Sequence, residues 1–246
     1  MYNFISNSST IQDIIKGLNL TKSLFVSSII IGEAHIGKKG LISSIFGDLP
    51  MVSAKDTEIL KDTLQHNNEL IITDFEHIQN TPITLLEDKK IIATANYITN
   101  QNLIDDIFAF IYHMPSLKDR KEDILYLTDL YITEAQKILS DNNDTDINID
   151  DIDIDLQQNT KSLKSSIYKY ILNKSMSKED IKKSLYNYIY KHIDGNNAYK
   201  EFLDIYEEPL IQAGLARYHS QLKLSSILGI NRNTLRKKIL EHKIDA

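Results

Sequence analysis

The chain has 246 residues, 42% of them hydrophobic and 25% charged, which suits one large or two modest globular domains. It contains no cysteine, so disulfides, thiol chemistry and cysteine-ligated zinc are excluded. The net charge of −6 argues against a nucleic-acid partner only until its distribution is read, because residues 217–246 carry +5 and the rest of the chain −11.

The N-terminal MYNFISNSSTIQDIIKG lacks the basic and apolar regions of a signal peptide. No apolar run approaches the roughly 18 residues that cross a bilayer, so a cytoplasmic protein without a membrane partner is expected. The apolar run LFVSSIII (24–31) leads into GEAHIGKKG and predicts a strand entering a glycine-bearing turn. In that turn Gly32-x-x-x-x-Gly37-Lys38 has phosphate-loop spacing, which brings backbone amides and a lysine around a polyphosphate. The pattern alone is unspecific, and its place after an apolar strand strengthens it. Lys39 stands where a serine or threonine usually supplies a magnesium ligand.

Two more short apolar runs, LIIT (70–73) and IIATA (91–95), alternate with helical or polar segments, which predicts an α/β domain with a largely parallel sheet. After Pro115 the strand signals stop. LYLTDLYITEAQKIL, SLKSSIYKYIL and IKKSLYNYIYKHI then repeat apolar residues at helical spacing. Between the first two lies the acidic 140–156 segment, alternating Ile with Asp, which reads as an edge strand, a helix start or a solvated loop. A surface connection is its plain reading; mimicry of DNA phosphates, folding back on the basic tail, is the alternative. The tyrosines of YKY and YNYIY (168–190) read as a packing stripe rather than a base-stacking platform. Histidines 35, 66, 77, 113, 192, 219 and 242 are scattered without ligand-pair spacing, so no metal site is expected. The Asp194-Gly195-Asn196-Asn197 break opens the last domain near 195.

The tail, 217–246, divides into helix, turn and helix and predicts DNA binding. Leu222, Leu224, Ile227 and Leu228 supply the first helix's apolar positions, and Gly229 suits the left-handed residue that ends it. Asn231 suits the N-cap of the second helix, whose Leu235 and Ile239 face inward with Ile230. Asn231, Arg232, Asn233, Thr234, Arg236, Lys237 and Lys238 are the candidate DNA-contacting residues, of types that read base edges or hold phosphates. Three of the chain's four arginines (Arg217, Arg232 and Arg236, but not Arg120) lie in this tail, where a permanently charged bidentate side chain is useful.

Two stretches resemble known families. EEPLI (207–211) with LGINRNTLRKKI (228–239) is similar to the Fis-type DNA-binding domain over about 199–246. That resemblance implies a four-helix unit whose first two helices dimerise and whose last pair reads a palindromic double-stranded site. FISNSSTIQDIIKGLNLTKSLFVSSIIIGEAHIGKKGLI (4–42), LPMV (49–52), LIITDFE (70–76), IIATAN (91–96) and MPSLKDRKEDI (114–124) resemble the AAA+ domain of NtrC-type activators of sigma-54 RNA polymerase. The loop of that family reads GESGTGKE, so the absent hydroxyl after Lys38 is normal for it.

The joint resemblance implies an α/β AAA+ (P-loop) core with a parallel sheet and helical lid, followed by an all-α Fis-type helix-turn-helix domain. The expected domains are 1–122, a lid and linker over 123–194, and 195–246. Gly32, Gly37, Lys38, Lys39, Asp74 and Asn96 become candidate nucleotide-binding residues, with Asp74 as the magnesium-holding aspartate and Asn96 as a polar sensor. ATP or ADP with magnesium is the cofactor left open.

The departures imply a degenerate motor. Phe75 stands where the family has the water-orienting glutamate, and Glu76, one place later, is expected to point elsewhere. His35 and Ile36 replace a Gly-Thr pair and are expected to crowd the phosphates, while Lys161 falls near the second sensor arginine. No arginine precedes Arg120, so the family's arginine fingers, worth on the order of 10³–10⁵ in rate, are missing. Only AKDTEILKDTLQHNNE (54–69) remains where the sigma-54-contacting GAFTGA loop belongs. The expectation is a DNA-binding regulator, dimeric through its Fis-type domain, with no catalytic residues, efficient ATP hydrolysis or sigma-54 activation. The competing expectations are an inhibitor that joins the ring of a full-length AAA+ relative, and a weak ATPase.

Overall fold

The computed structural model describes residues 4–78, 81–139 and 147–245. Its contacts separate two compact units, one ending at Ser175 and the other starting at Met176.

The first unit is built on five parallel strands in the order β2-β3-β4-β1-β5: β1 (Ser28–Ile31), β2 (Met51–Ser53), β3 (Glu69–Thr73), β4 (Lys90–Ala95) and β5 (Phe110–His113). β1 and β4 are buried along their whole length, as a parallel sheet covered on both faces requires. On one face α1 (Ser9–Lys22) and α2 (Lys38–Phe46) bring Ile11, Ile14, Leu18, Leu41, Ile42 and Phe46 against Ile30, Ile71 and Ile92. On the other, α3 (Thr57–His66) and α4 (Gln101–Ile107) bring Leu60, Leu64 and Ile104 against Ile29, Ile72 and Ala93.

Two strand expectations change. The 24–31 run is strand only from Ser28, and Leu24 and Phe25 are exposed, because the neighbours of β1 begin their pairing at Ile92 and Phe110. β5 was not among the expected strands although it lies in the apolar run IFAFIY (107–112); it is an edge strand with no fully buried residue and pairs with β1 over four residues. β2 leads through Ala54–Asp56 straight into α3 and on to β3.

α5 (Lys121–Leu139) and α6 (Thr160–Ser175) pack together around Leu117, Ala135, Leu163, Ile167 and Ile171. Residues 140–146 of the acidic segment lie outside the described residues. The remainder is a loop with one 3-10 turn at Ile149–Asp151. Its alternation turns Ile147, Ile152, Ile154 and Leu156 onto the helix pair and Asp150, Asp151, Asp153 and Asp155 outward.

The second unit holds α7 (Lys178–His192), α8 (Ala198–Tyr218), α9 (Gln221–Leu228) and α10 (Arg232–Glu241), so the Asp194-Gly195 break lies inside it. α7 starts with a reciprocal Ser177–Asp180 capping box. Ile211, Leu224, Leu235 and Ile239 form the core of the unit. Of the first helix's apolar positions, Leu224 is buried and Leu222 and Ile227 are exposed. The tyrosine stripe also divides. Tyr168 and Tyr170 pack in the α5–α6 core, whereas Tyr186, Tyr188 and Tyr190 are exposed. Among the described residues no helix is long and apolar enough to cross a membrane.

One buried ion pair ties the first unit together. Arg120, 2% exposed, donates to Asp123 Oδ2 at 3.1 Å and to the Ile36 carbonyl at 2.8 Å. Asp123 also accepts from Ser6 Oγ at 2.6 Å and from the Asn7 and Ser8 amides at 2.6 and 3.2 Å. Asp123→Ala strands a buried guanidinium and frees the N-terminal segment. Denaturant unfolding should show a loss of about 3–5 kcal/mol, and a loss below about 1 kcal/mol would contradict the role given to this pair.

Candidate functional site

The glycine-bearing loop runs from the end of β1 to the start of α2. Gly37, at φ 103°, takes a backbone conformation open to glycine and leads into the first turn of α2, whose amides lack helical acceptors. His35 sits at φ 60°, an uncommon conformation for a side-chain-bearing residue. Three consecutive loop carbonyls are held from the helical segment that follows. Asn159 Nδ2 donates to the Ala34 carbonyl at 3.0 Å, Thr160 Oγ1 to His35 at 2.6 Å, and Arg120 to Ile36. Ile36 does not crowd the loop's mouth as expected. It is 1% exposed and packs into the core under the sheet, leaving His35 as the exposed member of the pair.

Beside this loop lies a cavity of about 490 Å³, within the usual range of ligand sites. Gly37, Lys38, Lys39, Asp74 and Asn96 all line it, together with His35, Lys55, Glu76 and Thr160. Gly32 is not part of the lining, but its carbonyl accepts from Lys38 Nζ. Lys38 also donates to the Glu33 carbonyl at 2.6 Å and to Asn96 Oδ1 at 3.0 Å. Burial lowers its pKa to about 8 against the opposing pull of Glu76 and Asp74.

Asp74 ends β3 in the left-handed region, φ 56°, and starts a 3-10 turn over Phe75–His77. That turn reverses the expectation for Glu76. Phe75 drops into the core, edge-on to Phe108 at 5.0 Å, and Glu76 turns into the cavity with no exposed side-chain surface. Its carboxylate accepts from the Asn96 amide at 3.1 Å and from Asn96 Nδ2 at 2.5 Å. Strand alternation gave no signal for this, because it ends at Asp74; a polar residue following an aspartate able to adopt φ > 0 was the only clue.

Asp74 is itself engaged. Its Oδ2 accepts from Lys39 Nζ and Ser53 Oγ, both at 3.0 Å, and Lys55 Nζ lies 3.4 Å from Oδ1. Burial alone would push the carboxyl up, but these bonds and the two positive charges outweigh it and hold the pKa at about 2. Lys161 lies elsewhere, exposed in a separate hollow with Asp151, Asp153 and Asp155.

In the second unit Gly229, at φ 65°, ends α9, and Asn231 Oδ1 caps α10 by accepting from the Asn233 amide at 2.9 Å. With Leu235 and Ile239 buried, Arg232, Asn233, Thr234, Arg236 and Lys237 are all exposed on the rest of the helix. Lys238 is not on that face: it is ion-paired with Glu207 of α8, which His242 also approaches at 3.5 Å.

A parallel five-stranded sheet with β1 between β4 and β5, a phosphate-type loop after β1, acidic residues after β3, a polar residue after β4 and a following helical lid define an AAA+ fold. Comparison with solved structures agrees. The chain is similar to NtrX from Brucella abortus in complex with ATP, with TM-score 0.59 and 12% identity over 99% of this chain and 70% of that one. It is similar to the same protein in complex with ADP, with TM-score 0.55 and 12% identity over 98% and 70%. No family model and no curated protein sequence matches the chain.

The charge balance of the cavity can be measured directly. Carbon NMR of the lysine Cε resonances should find Lys38 titrating near 8 rather than near 10.5. Glu76→Gln removes an attraction that favours the ammonium, so the midpoint should fall further; a rise would contradict the placement of Glu76.

Proposed function

We propose that this chain is a sequence-specific DNA-binding transcriptional regulator, in which a degenerate AAA+ unit binds adenine nucleotide as a regulatory ligand and a Fis-type helix-turn-helix unit carries the DNA contact. The observation that carries this reading is α10. One side of it is anchored by Leu235 and Ile239, its start is capped by Asn231, and the exposed Arg232, Asn233 and Arg236, with Lys237 in an exposed ion pair to Glu241 at 3.7 Å, are positioned to enter a major groove. The exclusion of Lys238, held by Glu207, narrows the contact set by one. A dimer through the second unit places two such helices on a palindromic site, in keeping with the exposed aromatic residues of α7 and α8, such as Tyr186, Tyr190, Tyr199 and Tyr206.

In the first unit the α2 amides and Lys38 suit a triphosphate, and the cavity has room for one. Hydrolysis is expected to be inefficient, because no arginine precedes Arg120 to act as a finger and both Glu76 oxygens are engaged by Asn96. One observation favours a slow ATPase as a second reading: Glu76 does face the cavity. Turnover of the full chain should stay below about 0.01 s⁻¹, roughly 10³-fold under a typical enzyme, and Glu76→Gln should leave it unchanged. Faster turnover that Glu76→Gln abolishes would establish the second reading instead.

Genome-wide mapping of bound sites, followed by titration of one site, tests the DNA reading. Affinity should fall roughly 10²–10³-fold between about 50 and about 200 mM salt, for about four to six phosphate contacts in a dimer. Arg236→Ala or Arg232→Ala should cost about 1–3 kcal/mol if the residue reads a base. Salt-independent binding, or the absence of any enriched sites, would end this proposal.

A further inference from the structure

The AAA+ fold implies a magnesium ion beside the nucleotide's phosphates, and the residues of this cavity do not fit one. Magnesium needs oxygen ligands in near-ideal octahedral geometry. Both carboxylate oxygens of Asp74 face ammonium groups. Lys39 Nζ is 3.0 Å from one and Lys55 Nζ 3.4 Å from the other. The Ser53 hydroxyl is also turned onto Asp74, donating to Oδ2 at 3.0 Å. A divalent cation at Asp74 would have to expel two ammonium groups and then sit among the three lysines that line the cavity, Lys38, Lys39 and Lys55.

We propose that Lys39 and Lys55 are the site's built-in counter-ions, so that a triphosphate binds there as the free anion without a divalent metal. This rests on the nucleotide-binding reading above and specifies its ligand. Lys39 lies in the first turn of α2 and Lys55 follows β2, so they approach Asp74 from two different elements, and their side chains remain more than half exposed. Each ammonium can therefore stay beside Asp74 while turning part of its hydrogen-bonding capacity to an incoming phosphate. Lysine suits this task because its ammonium has three donors on a flexible stem. The sheet itself fixes the anion they share, because Asp74 directly follows β3.

Calorimetric titration of the full chain with ATP, once in excess EDTA and once in excess magnesium, tests the proposal. The affinity in EDTA should equal or exceed that in magnesium. Lys39→Gln should weaken binding in EDTA by about tenfold and weaken the magnesium titration less, because removing the ammonium opens Asp74 to the metal. Lys55→Gln, a second exposed substitution, should act in the same direction. Wild-type binding weaker in EDTA by about threefold or more overturns the proposal while leaving nucleotide binding in place. So does full retention of affinity in EDTA by both variants. Wild-type protein that binds no ATP in either buffer overturns the nucleotide reading itself, and this inference with it.

Discussion

The phosphate-type loop has its shape because its carbonyls are held from outside. Ala34, His35 and Ile36 each give their oxygen to a donor from the segment that follows the sheet: Asn159, Thr160 and Arg120. With three successive peptide planes fixed in this way, the α2 amides next to them meet the cavity as a preformed cradle. The same donors bind other parts of the unit. Asn159 accepts from the Leu117 amide at 2.7 Å and donates to Glu33 at 3.0 Å, while Arg120 joins Asp123 and, through it, Ser6, Asn7 and Ser8. The N-terminal segment, the loop and the start of α6 are therefore one hydrogen-bonded assembly. A group that disturbs the loop acts on α5 and α6 at once, which gives the cavity a physical route to the rest of the unit.

What the sequence made legible and what it did not follow from how each signal arises. The apolar strands β1, β3 and β4 are read directly, because a buried parallel strand has to be hydrophobic on both faces. Gly37 and Lys38 are read from spacing, and Asp74 and Asn96 only through the resemblance to a known family. Glu76 was misjudged because a strand's alternation was carried one residue past its end, whereas the backbone leaves the strand at Asp74 with φ 56°. Ile36 was misjudged because a bulky residue in a glycine-type loop was assumed to face the ligand. Its burial under the sheet depends on His35 taking the left-handed conformation just before it. In the tail, the cap, the turn glycine and the inward Leu235 and Ile239 were legible as local chemistry. Lys238 was not, since only the fold brings Glu207, thirty-one residues earlier, to its side.

The two candidate sites also use cations of different kind. Arg120 is buried and structural, its planar fork divided between a carboxylate and a carbonyl, and the exposed α10 face carries Arg232 and Arg236. Arginine keeps its charge at any physiological pH, so the exposed face of α10 has a constant field. The cavity of the first unit is lined by three lysines, Lys38, Lys39 and Lys55, rather than arginines, and burial has already brought Lys38 down to about 8. Its positive charge therefore depends on its surroundings. Glu76 and Asp74 favour the ammonium, burial disfavours it, and an arriving anion would favour it again. Asp74 is the fixed point in this balance: the hydrogen bonds of Lys39 and Ser53 and the charges of Lys39 and Lys55 outweigh its burial and hold it near 2, so it is ionised at neutral pH. The cavity thus sets an ionised Asp74 between Lys39 and Lys55 beside one lysine, Lys38, whose charge is the adjustable element of the site.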